Sequence, residues 1–260
     1  MDDLQTVAAE TVKPMSFTEK MVNIFASPGE LYENVRDTGP TRSNWVIPAI
    51  ILVIASVLMT QLMLSNASLV DQLDRTMRQA MEKSLEGRNL PPEQMERAQQ
   101  QIDQAYEYTK PGSTWFMVLS TVGPLVWTFI TLFGLGLAYW LVGKSAMGAS
   151  APYMKVVEVV GLTFFIGTLE VIVTTLLMYA MDSIHASPGV GLFVKDFDVT
   201  NKLHLAMSKV NIFTVWTLVI TSIGLSKLFR RDLPKVLVLV FALWILYGAV
   251  TIFTGIGAGR

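Results

Sequence analysis

Apolar and polar positions divide this chain into a mostly polar opening of about forty residues and five long apolar runs joined by polar connectors. The runs lie near 45–64, 114–142, 156–181, 212–228 and 236–256. A helix rises about 1.5 Å per residue, so roughly 20 apolar residues cross a hydrocarbon core of about 30 Å. Each run therefore predicts one membrane-spanning helix. The second is long, and Gly123 and Pro124 predict a kink or break near its start. Trp45, Trp115, Trp140 and Tyr153 fall near the expected boundaries, where amphipathic rings settle.

Outside the runs the period changes. Residues 16–35 read SFTEKMVNIFASPGELYENV, with Ser16 three places before Glu19 and Ser27 three places before Glu30. Each pair fits a capping box, and Pro28 suits a first helical position. Two short amphipathic helices are predicted, at 16–26 and 28–36, after a disordered tail over 1–15. Their apolar stripes are Phe17, Met21, Ile24 and Phe25, then Leu31, Tyr32 and Val35. The region 16–43 is expected to lie at the cytoplasmic surface, apolar faces toward lipid or the ends of the spans. Within 44–260, the insert 65–113 repeats Leu69, Leu73, Met77, Ala80 and Leu85, then Met95, Ala98, Ile102, Ala105 and Tyr106 at helical spacing. Gly87 can end the first of these helices, and Pro91 and Pro92 can begin the second. This predicts a helical hairpin whose apolar seam either joins the two helices or docks a partner or a second copy. The expected fold class is all-α: five transmembrane helices, two N-terminal amphipathic helices and an extracytoplasmic hairpin.

Composition agrees. The chain is 52% hydrophobic and 16% charged, against about 25% charged in soluble domains. A net charge of −1 gives no electrostatic basis for nucleic-acid binding. With no cysteine, disulfides, thiolate metal sites and thiol catalysis drop out. The first 44 residues do not read as a cleaved signal. The short connectors after the second and fourth runs carry Lys144 and Lys155, and Lys227, Arg230, Arg231 and Lys235. The connector after the third run dilutes Lys195, Lys202 and Lys209 with Asp182, Asp196 and Asp198. Basic connectors stay cytoplasmic, which predicts an inside N-terminus and an outside C-terminus.

Few residues point to chemistry. Glu170 falls near the middle of the third run, and no Lys or Arg lies deep in any run to pair with it. A carboxyl there is expected to hydrogen-bond a hydroxyl or indole of another helix, or to handle a proton or substrate. Glu158 lies twelve residues earlier, about 18 Å along a helix, so the two carboxyls cannot form a close acid–base pair. Glu158 is expected at the cytoplasmic boundary beside Lys155, and Gln61 as a satisfied interhelical polar group. Asp182, His185, Asp196, Asp198 and His204 match neither a zinc helix motif nor an EF-hand loop. Lys202, His204 and Lys209 are expected to face solvent or headgroups. Ser145 lacks a nucleophile-elbow context, and no phosphate-binding or dinucleotide loop is present. The glycines 134, 136, 161, 167 and 224 predict close helix packing. No catalytic residue, metal site or cofactor is expected.

The segment Asn211-Ile-Phe-Thr-Val-Trp216, followed by Ile223-Gly-Leu225, resembles the Yip domain family, the Ypt/Rab-interacting proteins and their bacterial relatives. Phe25-Ala-Ser-Pro28, Leu31, Tyr32, Trp45 and Pro48 resemble that family's leading segment. Phe25, Pro28, Trp45, Pro48, Phe213, Trp216 and Gly224 are the positions that carry the likeness, which extends over nearly the whole chain. The third run departs from it: Gly161 to Gly167 holds no proline. Asp37-Thr-Gly-Pro40 is one residue short of the eukaryotic aspartate-leucine-tyrosine-glycine-proline motif, so a GTPase-binding role does not carry over. The resemblance implies a bacterial-type member in the cytoplasmic membrane. For eukaryotic members it implies trafficking adaptors and membrane shaping, for bacterial ones little beyond membrane residence. Together with the absence of a catalytic constellation it leads to the expectation of a non-enzymatic scaffold or adaptor whose partners are the bilayer, other membrane proteins or a second copy. The alternative is a transporter, channel or lipid-translocating protein that uses Glu170.

Overall fold

Lipid offers the backbone no water, so an apolar run must satisfy its own N–H and C=O groups as a helix. The computed structural model describes residues 12–86, 91–194 and 201–254. Among these it forms α1 (Phe17–Ala26), α2 (Pro28–Asp37), α3 (Ser43–Leu64), α4 (Ala67–Glu86) and α5 (Pro92–Thr109). There follow α6 (Thr114–Met147), α7 (Tyr153–Met181), α8 (Lys202–Ser208), α9 (Ile212–Phe229) and α10 (Leu233–Thr254). Helices α3, α6, α7, α9 and α10 are long and apolar enough to cross a membrane.

Helix α7 is the axis. Residues 155–166, apolar all round except for Lys155, Glu158 and Thr163, are buried on every side, and α3, α6, α9, α1 and α2 all pack on α7. Helix α3 runs parallel to α7. Trp45 sits against Gly161, where an added Cβ would come within 2.4 Å of the Trp45 Cβ, and Tyr179 donates to the Leu62 carbonyl near the other end. Helices α6 and α9 run antiparallel to α7: Gly136 meets Val157, and Gly224 meets Val159. Helix α10 packs on α9 and α8, at the edge of the bundle. One end of the bundle thus gathers α1, α2 and the two short basic connectors. The other holds α4, α5, α8 and the connector after α7. There Ser68 and Gln72 of α4 bond the carboxylate and the backbone carbonyl of Asp182, at 2.8 Å each.

Several local expectations are corrected. Helix α6 continues unbroken through Pro124 and runs on to Met147, where Gly148 takes a left-handed φ of 61° and the Ala149 N–H reaches the Gly143 carbonyl at 3.0 Å. Helix α7 begins at Tyr153 behind Pro152, so Lys155 belongs to a buried turn and not to the connector. Ser16 forms its capping box with Glu19, whereas Ser27 makes no side-chain cap and Pro28 alone starts α2. Gly134 has nothing within 4 Å of a notional Cβ, unlike Gly136, Gly161 and Gly224. A 3-10 turn, Val190–Phe193, and α8 were not expected. Asn201 caps α8 from 2.9 Å at the Leu203 N–H. Gly87, Lys195, Asp196, Asp198 and residues 255–256 lie outside the described residues.

Candidate functional site

The chain's polar and aromatic features converge where α1 and α2 lie against the spans. Helix α1 crosses two of them: the Phe17 ring lies 5.8 Å from Phe165 on α7, and the Phe25 ring 5.7 Å from Trp216 on α9. Trp216 in turn stacks on Phe213 at 6.2 Å. Helix α2 buries its whole stripe, Leu31, Tyr32 and Val35. The Tyr32 ring fills the space left by Gly224, and its hydroxyl donates to the Val159 carbonyl at 3.2 Å. Burial pushes the Tyr32 phenol far up, so it stays a neutral donor. On the surface, Lys227 of α9 pairs with Glu33 at 2.6 Å, and that bond holds the Glu33 carboxyl below its ordinary value.

Beneath α1 and α2 lies a buried polar knot. Glu158 accepts from the Asn44 carboxamide at 2.6 Å, from the Thr41 backbone N–H at 3.0 Å and from Lys155 at 3.4 Å. Lys155 also donates to the carbonyls of Val35 at 2.6 Å and Gly39 at 3.0 Å. Lys20 reaches in from α1 and donates to the Asn44 oxygen at 2.8 Å. Lys20, Asn44, Lys155 and Glu158 are all at most 5% exposed. Burying a carboxylate is costly unless it is paired and hydrogen-bonded, and Glu158 has both. Burial pushes the Lys20 amine down, with Glu158 opposing the shift. The knot ties the tail of α2, the turn before α3, and α1 to a single turn of α7. Its hydrogen bonds run between these side chains and to the backbone of Val35, Gly39 and Thr41, an arrangement that suits a fastening. Lys20 and Asn44 were missed in the sequence. Lys20 lies on the same stripe as Phe17 and Ile24, a cation among apolar positions, and that was the available signal.

Glu170 lies elsewhere. It accepts from the Asn211 carboxamide at 2.6 Å, while the Asn211 oxygen caps α9 through the Thr214 N–H at 2.8 Å. The partner is an amide rather than the expected hydroxyl or indole, because the N-cap of α9 comes level with this turn of α7. Gln61 is half-buried and makes no side-chain hydrogen bond among the described residues. Trp45 lies 5.5 Å from Phe133, Pro48 is buried inside α3, and Pro28 opens α2. Of the positions that carry the family likeness, Phe25, Trp216 and Gly224 lie where α1 and α2 meet α9, and Trp45 lies where α3 meets α6 and α7. Lys202 lies over the Phe253 ring at 4.8 Å, and burial pushes the His185 imidazole down. Among the described residues no three acidic or histidine side chains are grouped to hold a metal ion.

A family model, the Yip1 domain, matches residues 22–254 of the chain. No curated protein and no solved structure matches it significantly.

Proposed function

Because the chain belongs to the Yip1 domain family, we propose that this multi-pass membrane protein is a non-enzymatic scaffold that presents α1 and α2 as a fixed contact surface. The observation that carries this reading is the fastening of both helices to α7 and α9 by the Phe25–Trp216 and Tyr32–Gly224 contacts and the Lys20–Asn44–Glu158 chain. Fastening leaves Met21 and Val22 of α1 more than a third exposed, and even the docked Phe17 and Phe25 rings keep an open edge. A loosely hinged amphipathic helix would lose ordering entropy each time it met a partner; a fastened one has already lost it. The surface lies at the end with the basic connectors, which supports a cytoplasmic position for it and for the N-terminus, in a bacterial cytoplasmic membrane. Other membrane proteins or a second copy are the partners that such a surface suits.

Photo-crosslinking from a benzophenone side chain at Val22 in native membranes tests the reading. It expects protein adducts that Met21→Glu abolishes. Adducts to lipid alone would remove α1 as an adaptor surface. The transport alternative has less support, since Glu170 is committed to Asn211 and through it to the cap of α9.

A further inference from the structure

Helices α6 and α10 belong to opposite flanks of the bundle: α6 packs on α3, α5 and α7, and α10 on α8 and α9. At the basic end they leave between them a groove of about 550 Å³, lined by Ala146 and Met147 of α6 and by Arg231, Lys235, Val238, Leu239 and Ala242. That volume falls within the range of small-molecule sites, about 300–1,000 Å³. The charge is confined to its mouth. Arg231 is pre-set there: its backbone N–H bonds the Ser226 carbonyl at 3.1 Å, its carbonyl accepts from the Ser226 hydroxyl at 2.6 Å, and its Nε donates to the Met147 carbonyl at 2.9 Å. The bracing uses Nε and leaves the terminal nitrogens for a ligand. Gly148, in its left-handed conformation, lies beside them, and a Cβ there would stand 3.6 Å from Nη2. Lys235 sits in the first turn of α10 and holds Asp232 at 2.8 Å in a pair about 70% exposed on both sides. Such a pair is weak in water and yields to a stronger anion. Below the mouth every lining residue is apolar. Val238, 71% exposed, continues into Ile245 and Leu246 on the exposed face of α10.

We propose that this groove binds an anionic phospholipid, its phosphate on Arg231 and Lys235 and an acyl chain along Val238 and Ala242. The charge distribution selects this occupant. A groove between two spans opens along the bilayer normal, with cations at headgroup level and methyl groups beneath. A phospholipid has that same polarity, and basic pockets between membrane helices recognise anionic headgroups. A soluble anion would use the mouth and leave the apolar wall bare, and a peptide would need backbone partners along the wall that these side chains do not supply.

Native mass spectrometry of the full chain in mild detergent, with equimolar dioleoyl phosphatidylglycerol and phosphatidylcholine, tests this. About thirtyfold more phosphatidylglycerol adduct is expected, from two basic groups near the headgroup. The double variant Arg231→Gln/Lys235→Gln should lower that preference to about twofold or less. Ala242→Trp fills the wall without touching the cations and should also deplete the adduct, so the test survives if the double variant fails to fold. Equal retention of both lipids overturns the proposal, as does a preference unchanged in the double variant. Displacement by equimolar inorganic phosphate, with Ala242→Trp without effect, also overturns it and leaves an anion site in its place.

Discussion

Truncating Tyr32 to alanine tests the seating of α2 at its largest contact. The ring is 1% exposed and lies against Gly224 and Val159, so the loss should approach that of other buried aromatic truncations, about 3–5 kcal/mol. The hydroxyl's bond to Val159 contributes about 0.5–1.5 kcal/mol of it, which Tyr32→Phe isolates. At about 1.4 kcal/mol per factor of ten, a loss near 3 kcal/mol opens α2 roughly a hundredfold more often. Hydrogen–deuterium exchange in nanodiscs should show that acceleration over residues 28–37, with the inner turns of α7 unchanged. Gly224→Ala supplies a coupled check. Its Cβ would come within 2.9 Å of the Tyr32 ring and 2.6 Å of Val159, so it is destabilising alone. In the Tyr32→Ala background the first clash is gone, and the two changes should cost less together than their sum. Unchanged exchange in Tyr32→Ala, or strict additivity of the pair, would refute the seating of α2 in the Gly224 notch.

The other expectations concern charge. Glu158→Leu strands Lys20 and Lys155 without their carboxylate and should destabilise the fold by about 3–5 kcal/mol in thermal unfolding, with Glu158→Gln milder because it keeps an acceptor. Lys227 holds the Glu33 carboxyl below its ordinary value of 4.5; the pair's contribution is complete above that value and fades as pH falls below it. The stability gap between wild type and Glu33→Gln should therefore close on acidification below 4.5, and a gap that persists there would contradict the assignment. Liposomes carrying wild type, Glu170→Gln or Glu170→Ala should show ion and lipid flux at the protein-free background. Wild-type flux abolished by Glu170→Gln would instead establish the transport reading.

Most of the fold was legible because lipid imposes a single rule on an apolar run, and the five runs obey it. Chemistry across distance was harder to read. The seam of Leu31, Tyr32 and Val35 announced a buried face but not its partner, since period alone cannot separate lipid from protein as the cover. Lys155 looked like a connector residue because it is a cation just ahead of the apolar run from Val156; only the packing of α2 over α7 turns it inward. Glu170 stood out in the sequence as an intramembrane carboxyl, but its amide partner did not. Asn211 reads in sequence as a helix cap, and only the antiparallel register of α9 on α7 brings that cap to the carboxyl. Ser27 illustrates a local signal overridden: the motif was present, yet a backbone with φ −144° and ψ 63° at that residue makes no side-chain bond.

The account stands on α1 and α2 being fixed to the spans, and the Glu33–Lys227 pair reports the docking of α2 without any substitution. Zero-length carbodiimide coupling in native membranes should join these two side chains, 2.6 Å apart, into one crosslinked peptide found by mass spectrometry. If the local pair Lys110–Glu107, also 2.6 Å apart, couples while Glu33 and Lys227 do not, α2 is not docked on α9.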